Sequence, residues 1–375
     1  MKKVTIIYRT IPQYRVEFYN QLKEFLHDHD IHLQLIYGNN GFSGRNDSVH
    51  IDWATYVENK SVSIKGVTLI WQPCLDLIKD SDLVIVEQAN MLLINYLLII
   101  KKKLFKKKFA FWGHGQNLQA PKDSLFNKFK MTYINQSSWW FPYTEGVKSF
   151  LIEKGVEERK ISVVQNAIDT KTLRAQYLSF SEEEVAACRE DLGIEKNDVV
   201  LIYCGALAKE KNLPFLLESV NRLKSMTTVA FKLLILGNGP ERQSVEEYAA
   251  NSKDVIYVGP KFGKEKAKYF RLADIFVLPG AMGLAVLDAF AYETPIVTIE
   301  YPYHGPEIEY IKDGQNGIIA KNDLDDFIGK VVKLMNDKHL NDLFKSEGVK
   351  ALDYLNTETM VSNFGNGIIE CLNNK

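Results

Sequence analysis

The segment from Asp274 to Thr298, DIFVLPGAMGLAVLDAFAYETPIVT, constrains the fold more than any other. It reads as a short apolar strand, a turn carrying Gly280 and Gly283, an apolar helix and a second strand. Between Gly283 and Tyr292 the helix offers one carboxylate, Asp288, among Leu, Ala, Val and Phe, so it has no polar face for water and belongs inside a layered domain. A buried ionised acid without donors is strongly unfavourable, so Asp288 requires a partner. A protein group or a ligand could supply it, and this segment alone leaves both open. The glycines let another group approach the backbone, and free N–H groups at the helix start favour an anion.

Apolar runs of strand length alternate with amphipathic stretches along the chain, a rhythm that implies parallel sheets covered by helices. One series contains VTIIY, IHLQLIY, LVIVE, FAFW and ISVV, and a second contains VVLIYCG, FKLLILG, VIYVG, DIFVLPG and PIVTI. The polar stretch Thr170 to Asn197 between them reads as a linker with a leading helix. The expected organisation is a Rossmann-like domain over 1–175, a second over 176–355, and a C-terminal helix over 356–375 that packs back on the first. Ligands of open α/β sheets bind beyond the C-terminal strand ends, so two facing sheets would place a cleft between the domains.

The chain has 375 residues, enough for two domains of ordinary size. Its formal charge is -1, but residues 1–180 hold 24 Lys and Arg against 17 Asp and Glu, which makes the first half basic and the second acidic. Nothing in this balance suggests nucleic acid as a partner. Cys74, Cys188, Cys204 and Cys371 are widely spaced without metal-ligand pairing, which fits a reducing, cytoplasmic setting. Met1 leads directly into a strand-like run, so no secretion signal is expected, and MLLINYLLII is too short to cross a bilayer.

Seven segments occur in the order shown by a known family: IPQYRVEFYNQL, FWGHGQN, YTEGVKSFLIEKGVEERKISVVQNAIDT, YCGALAKEKN, LILGNGPE, DIFVLPG…AYETPIVT and PEIEYIKDGQNG. The chain thus resembles the retaining nucleotide-sugar glycosyltransferases of the GT-B fold, family-four or group 1 type. The resemblance implies an α/β fold of two Rossmann-like parallel-sheet domains facing a cleft, a nucleotide-sugar co-substrate, and no metal or other cofactor. In the family an Arg and a Lys after the first strand of the second domain bind the donor diphosphate. The matching positions here are Ala206 and Lys211, with Lys209 as the nearest replacement for the missing Arg. Lys211 is also expected to open a helix reaching Lys224, where a cation opposes the dipole unless an anion is near. The family's two signature glutamates fall on Gly280 and Asp288, so Asp288 would take the ribose hydroxyls, and backbone amides from Ala281 through Met282 and Gly283 to Leu284 would replace the lost contact to the sugar.

The resemblance places His114, in WGHG, against the donor sugar, and Gly205, Gly237, Gly239 and Phe262 in loops around the nucleotide, although these loops also read as plain turns. His114 and Lys211 are the expected catalytic residues. Glu307 is accounted for by stabilisation of a helix start. Tyr14 and Arg15, beside the first helix, would face an anionic acceptor or the diphosphate, or else cap the helix at the surface. LLINYLLIIKKKLFKKKF places six lysines beside an apolar helix, which reads either as a dock for anionic lipid or as a core helix followed by a solvated turn.

The expected activity is transfer of a hexosyl or N-acetylhexosaminyl group from a nucleotide diphosphate, UDP favoured over GDP, to a hydroxyl of a glycan or polyprenyl-linked acceptor in surface polysaccharide synthesis, at the inner membrane face. The domains would draw together over the donor and exclude water. A non-catalytic partner subunit, suggested by Ala206 and Gly280, and a sugar-nucleotide epimerase are the alternatives.

Overall fold

The computed structural model describes residues 1–38, 49–64, 67–116 and 124–374. Two compact units divide them, one of residues 1–168 and 357–374, the other of 169–356.

In the first unit Val4, Thr5, Ile6 and Ile7 of β1 (Lys2–Tyr8) are all buried, the continuous apolar run of a parallel strand covered on both faces. Helix α1 (Val16–His27) leads to β2 (Ile31–Tyr37) and the short β3 (Thr55–Tyr56), followed by a small antiparallel pair, β4 (Lys60–Ile64) and β5 (Val67–Trp71). Then come β6 (Leu83–Glu87), α2 (Leu93–Phe105), β7 (Lys108–Gly113), α3 (Leu125–Met131), β8 (Trp139–Pro142) and α4 (Glu145–Glu153). The sheet runs β3-β2-β1-β6-β7-β8, all parallel. Its order reverses between β1 and β6, and loops leaving adjacent strands in opposite directions open a crevice there.

The second unit begins with α5 (Thr170–Leu178) and α6 (Glu182–Asp191), so the polar stretch expected as a linker with a leading helix holds two helices. Ser181 and Glu184 close a reciprocal cap on α6, which explains why so polar a sequence is helical. There follow β9 (Val199–Cys204), α7 (Leu213–Met226), β10 (Phe231–Leu236), α8 (Arg242–Ala250), β11 (Val255–Gly259), α9 (Gly263–Leu272), β12 (Ile275–Leu278), α10 (Ala285–Ala291), β13 (Ile296–Ile299), β14 (Gly317–Ala320), α11 (Leu324–Asn336) and α12 (Lys338–Ala351). The order β11-β10-β9-β12-β13-β14 is again fully parallel, with its reversal between β9 and β12. The expected α/β class with two parallel sheets holds.

Helix α13 (Thr357–Asn373) returns to the first unit, where Phe364 stacks on Phe141 at 4.3 Å between ring centroids and packs against Phe18 and Trp112. Gly365 lies where a Cβ would strike the Phe25 ring, so α13 approaches α1 closely.

One strand expectation needs correction. ISVV is not a strand: it touches β8 by the single bridge Trp140–Ile161, and Ser162 and Val164 donate to the carbonyls of Trp140 and Pro142. The strand is WWFP itself, whose four residues are all buried. The β4–β5 pair and β14 lie outside the two expected series.

Candidate functional site

The reversal point of the second sheet is built by two loops, one after β9 and one after β12. Lys209–Lys211 forms a 3-10 turn, Asn212 adopts a left-handed conformation with φ 56°, and α7 starts only at Leu213. Lys211 therefore stands before the helix rather than opening it, because Asn212 breaks the helical path. Its Nζ donates to the carbonyl of Ala281, the Ala281 N–H donates to Glu210 O at 2.8 Å, and Asn212 Nδ2 donates to Pro279 O at 3.0 Å. Three hydrogen bonds stitch the loops together. At Gly280 a Cβ would overlap the backbone of Lys211, which gives the glycine a packing reason where the resemblance calls for glutamate. Lys209 is exposed.

The expectation that amides from Ala281 to Leu284 serve the sugar is narrowed by these contacts. The Ala281 amide is engaged, and the Met282 N–H donates to His304 Nδ1 at 2.9 Å. With Nδ1 accepting, His304 carries its proton on Nε2 and donates it to Ile299 O at 2.8 Å. Burial holds the His304 pKa below the ordinary histidine value, and Lys211 adds to this. Gly283 and Leu284 are half-buried and precede α10, which has seven residues rather than the longer helix expected from Gly283 to Tyr292.

Asp288 is not alone. Lys266 of α9 donates to its Oδ1 at 2.6 Å, and the ammonium also lies 5.6 Å from the Tyr292 ring centroid. Burial opposes the lysine's charge, but Asp288 outweighs it and raises the Lys266 pKa above the ordinary value. Sequence reasoning missed Lys266 because GKEKAKYFRL offers four cations, and only its buried neighbours Ala267 and Phe270 mark which face turns inward. Glu307 is 3% exposed, beside Gly305 and in the first turn of the short helix Pro306–Tyr310, so it stands at a helix start as expected and is buried there.

Gly237 and Gly239 are needed by close backbone packing. A Cβ on either would overlap the carbonyl of Gly205 or of Leu207, and Leu207 N–H donates to Asn238 O at 3.0 Å. These glycines bring the loops after β9 and β10 together. Phe262, at the start of α9, is 75% exposed, so packing does not account for it.

In the first unit His114 follows β7, half-buried, with its ring edge-on to Tyr143 at 4.5 Å between centroids. Its Nδ1 is enclosed without a hydrogen-bond partner. Burial, with Lys130 and Arg15 nearby, pushes the pKa down to about 3, so the ring is neutral at pH 7. Arg15 is 1% exposed, which removes the surface-cap reading. Its guanidinium donates to Ala167 O at 3.0 Å and to Asn166 Oδ1, and lies against Met360 of α13. Among the described residues no group of three His, Cys, Asp or Glu side chains is placed to hold a metal ion.

Residues 198–337 match the family described as Glycosyl transferases group 1. Over 147 residues the chain is 29% identical to an alpha-monoglucosyldiacylglycerol synthase of Acholeplasma laidlawii, covering 37% of this chain and 36% of that protein. Over 228 residues it is 23% identical to the UDP-Gal:alpha-D-GlcNAc-diphosphoundecaprenol alpha-1,3-galactosyltransferase of Escherichia coli, covering 59% and 57%. The chain thus spans about a third to three fifths of the curated relatives it matches. A glycosyltransferase structure from Rickettsia africae superposes with a TM-score of 0.73 at 16% identity, covering 100% of this chain and 99% of that one. Anabaena HepE in complex with UDP superposes with a TM-score of 0.73 at 13% identity, covering 98% and 100%. The fold is GT-B. The matched family stretch of this GT-B chain contains Lys211, Gly280, Lys266 and Asp288, whereas His114 lies outside it.

Proposed function

We propose that this GT-B chain is a retaining glycosyltransferase that moves a sugar from a nucleoside diphosphate, UDP in preference to GDP, to a hydroxyl of a glycan or lipid-linked acceptor in surface polysaccharide synthesis. The observation that carries the reading is the stitched pair of loops at the reversal point of the second sheet, where open α/β sheets bind their ligands. The group 1 match over the same stretch and the UDP bound to HepE support it. As the bond between sugar and phosphate breaks, negative charge grows on the leaving diphosphate. Lys209 and Lys211 would stabilise that charge more than they stabilise the bound donor, which lowers the barrier. Asp288, paired with Lys266, would accept from the ribose hydroxyls, and exposed Phe262 would cover the base. His114, neutral and half-buried, would hydrogen-bond the transferring sugar.

The acceptor reading draws on two relatives whose names include diacylglycerol and diphosphoundecaprenol, and on the exposed residues Lys103 to Lys107, which would bring the chain to anionic lipid at the inner membrane face. No helix among the described residues is long and apolar enough to cross a membrane.

A non-catalytic partner subunit is favoured by one feature: Ala281, Met282 and Asp288 already have protein partners. Thermal shift of the whole chain against UDP, GDP, ADP and their glucose and N-acetylglucosamine conjugates tests both readings. Stabilisation by the uridine series with sugar release in the presence of acceptor supports the enzyme. Silence across the panel rejects it.

A further inference from the structure

The crevice where the first sheet reverses holds buried positive charge that the unit does not neutralise. Arg9 follows β1 directly and Glu87 ends β6, and they form a two-pronged ion pair, Nε to Oε2 at 2.8 Å and a terminal nitrogen to Oε1 at 2.6 Å. That pair consumes the Glu87 carboxylate. Lys130 of α3 is 7% exposed and electrostatically coupled to both Glu87 and Arg9, yet its ammonium has no hydrogen bond or ion pair among the described residues. Arg15, fully buried against Trp112, is bonded to two uncharged oxygens and the uncharged sulfur of Met360.

Unpaired neutral groups accompany this charge. Gln88 is 4% exposed, and neither its Oε1 nor its Nε2 has a partner, although its backbone N–H donates to Trp112 O at 3.1 Å and fixes it at the strand ends. His114 Nδ1, two residues past Trp112 and within the field of Lys130, is unpaired as well. Leaving a buried polar group unsatisfied costs about 1–3 kcal/mol. Several together, at the position where such sheets bind ligands, mark groups held ready for one.

The chemistry selects the ligand. Lys130 and Arg15 leave about two positive charges uncompensated, close to the charge of roughly -1.5 to -2 on a phosphate monoester at neutral pH. Phosphate oxygens accept from an ammonium and from an amide N–H, and Gln88 Oε1 and His114 Nδ1 remain for hydroxyls beside the phosphate. We propose that the crevice between β1 and β6 binds the phosphate of a phosphate-bearing acceptor, with Lys130 as its counter-ion and Gln88 as a neutral donor. The word acceptor rests on the glycosyltransferase reading; the anion site does not.

The test uses the whole chain saturated with UDP, so that a diphosphate site in the second unit is already filled. Glucose 1-phosphate and a short-chain isoprenyl phosphate are titrated by calorimetry, into wild type and the variants Lys130→Met and Gln88→Leu. Binding of either probe is expected in wild type, with affinity at least tenfold lower in each variant, and the probe that binds more tightly identifies a soluble or a lipid phosphate. Without ligand, Lys130→Met should melt no lower than wild type, because an unpaired buried charge has been removed. Equal affinity in wild type and variants, silence from both probes, or a lower melting temperature for Lys130→Met overturns the proposal. A melting shift from UDP alone is read in the same samples. If it is present while both phosphates are silent, the donor reading stands and this inference falls; if it is absent while binding depends on Lys130, the anion site stands and the donor reading falls.

Discussion

Lys266 Nζ lies 2.6 Å from Asp288 Oδ1, with the two side chains only 16% and 17% exposed. This ion pair crosses from α9, the helix following β11, to α10, the helix following the loop after β12. Asp288 thus has a structural task as well as the proposed contact with ribose.

Breaking that pair from either side should destabilise the protein, because each single change leaves a buried charge unpaired. Removal of one partner from a buried pair costs about 3–5 kcal/mol, whereas removing both charges together costs much less. Urea unfolding of Lys266→Met, Asp288→Leu and the double variant reads this directly. UDP affinity separates the two tasks: Asp288→Asn should weaken it while Lys266→Met, if folded, should retain it. Equal loss in both would assign Asp288 to the fold alone.

Lys211→Ala should reduce donor turnover about 10- to 150-fold, the range for one charge-assisted hydrogen bond of about 1.5–3 kcal/mol. A small loss of stability should accompany it, since the same ammonium ties down Ala281 O. Steady-state kinetics showing an unchanged kcat/KM would remove Lys211 from the site.

Gly280→Ala should destabilise by about 1–3 kcal/mol, the usual cost of overpacking, because the added methyl meets the Lys211 backbone. Gly280→Glu should therefore fail to gain activity by restoring the family's acid. Thermal melts and donor hydrolysis assays check both; a fully stable Gly280→Ala would show that the loops are not held in contact.

The parallel sheets were legible because their strands are near-continuous apolar runs, as in FKLLILG and PIVTI. Strand WWFP escaped because Pro142 argues against a strand, while neighbouring ISVV carries a strand pattern and yet forms only one bridge. At the site, glycines suggested close approach, but the sequence cannot say whether a ligand or another loop arrives; at Gly237, Gly239 and Gly280 it is another loop. Lys266 and Glu87 gave no signal, since each acquires its role from a partner far away in the chain, and Lys130 gave none because its burial arises only from tertiary packing.

His114 should make the protein sensitive to mild acid. Its folded pKa lies near 3 and its unfolded value near 6.5, so between these the unfolded chain binds the extra proton and stability falls as pH drops below 6.5. The groups facing it are Lys130 and Arg15, both cations, and the Tyr143 ring, so none would stabilise an imidazolium. Between pH 7 and pH 5 the wild type should lose on the order of 1 kcal/mol that His114→Gln keeps. His304, also lowered by burial, adds a parallel loss in both proteins and cancels in the comparison. Matching pH profiles from urea melts would show that His114 is solvated when charged.

Membrane attachment should depend on a narrower feature than the whole lysine run. Lys102 Nζ donates to the carbonyls of Gln136 and Ser137, Lys107 to that of Lys79, and Lys108 to those of Cys371, Leu372 and Asn374, so these three cations serve the fold of the first unit. Replacing all six lysines would confuse docking with stability. What faces solvent at the end of α2 is Leu104 and Phe105, each 69% exposed, between exposed Lys103 and Lys106. Two large apolar side chains flanked by cations can enter an anionic lipid surface, where each basic residue adds about 1 kcal/mol. The variant Lys103→Gln, Leu104→Ser, Phe105→Ser, Lys106→Gln should keep the wild-type melting temperature and lose co-sedimentation with vesicles containing phosphatidylglycerol. Wild-type pelleting should fade as salt rises, because screening shortens the reach of the lysines to less than about 8 Å above 0.15 M. Equal pelleting of both proteins would assign docking to another surface, and no pelleting of either would remove the anionic membrane from the reading.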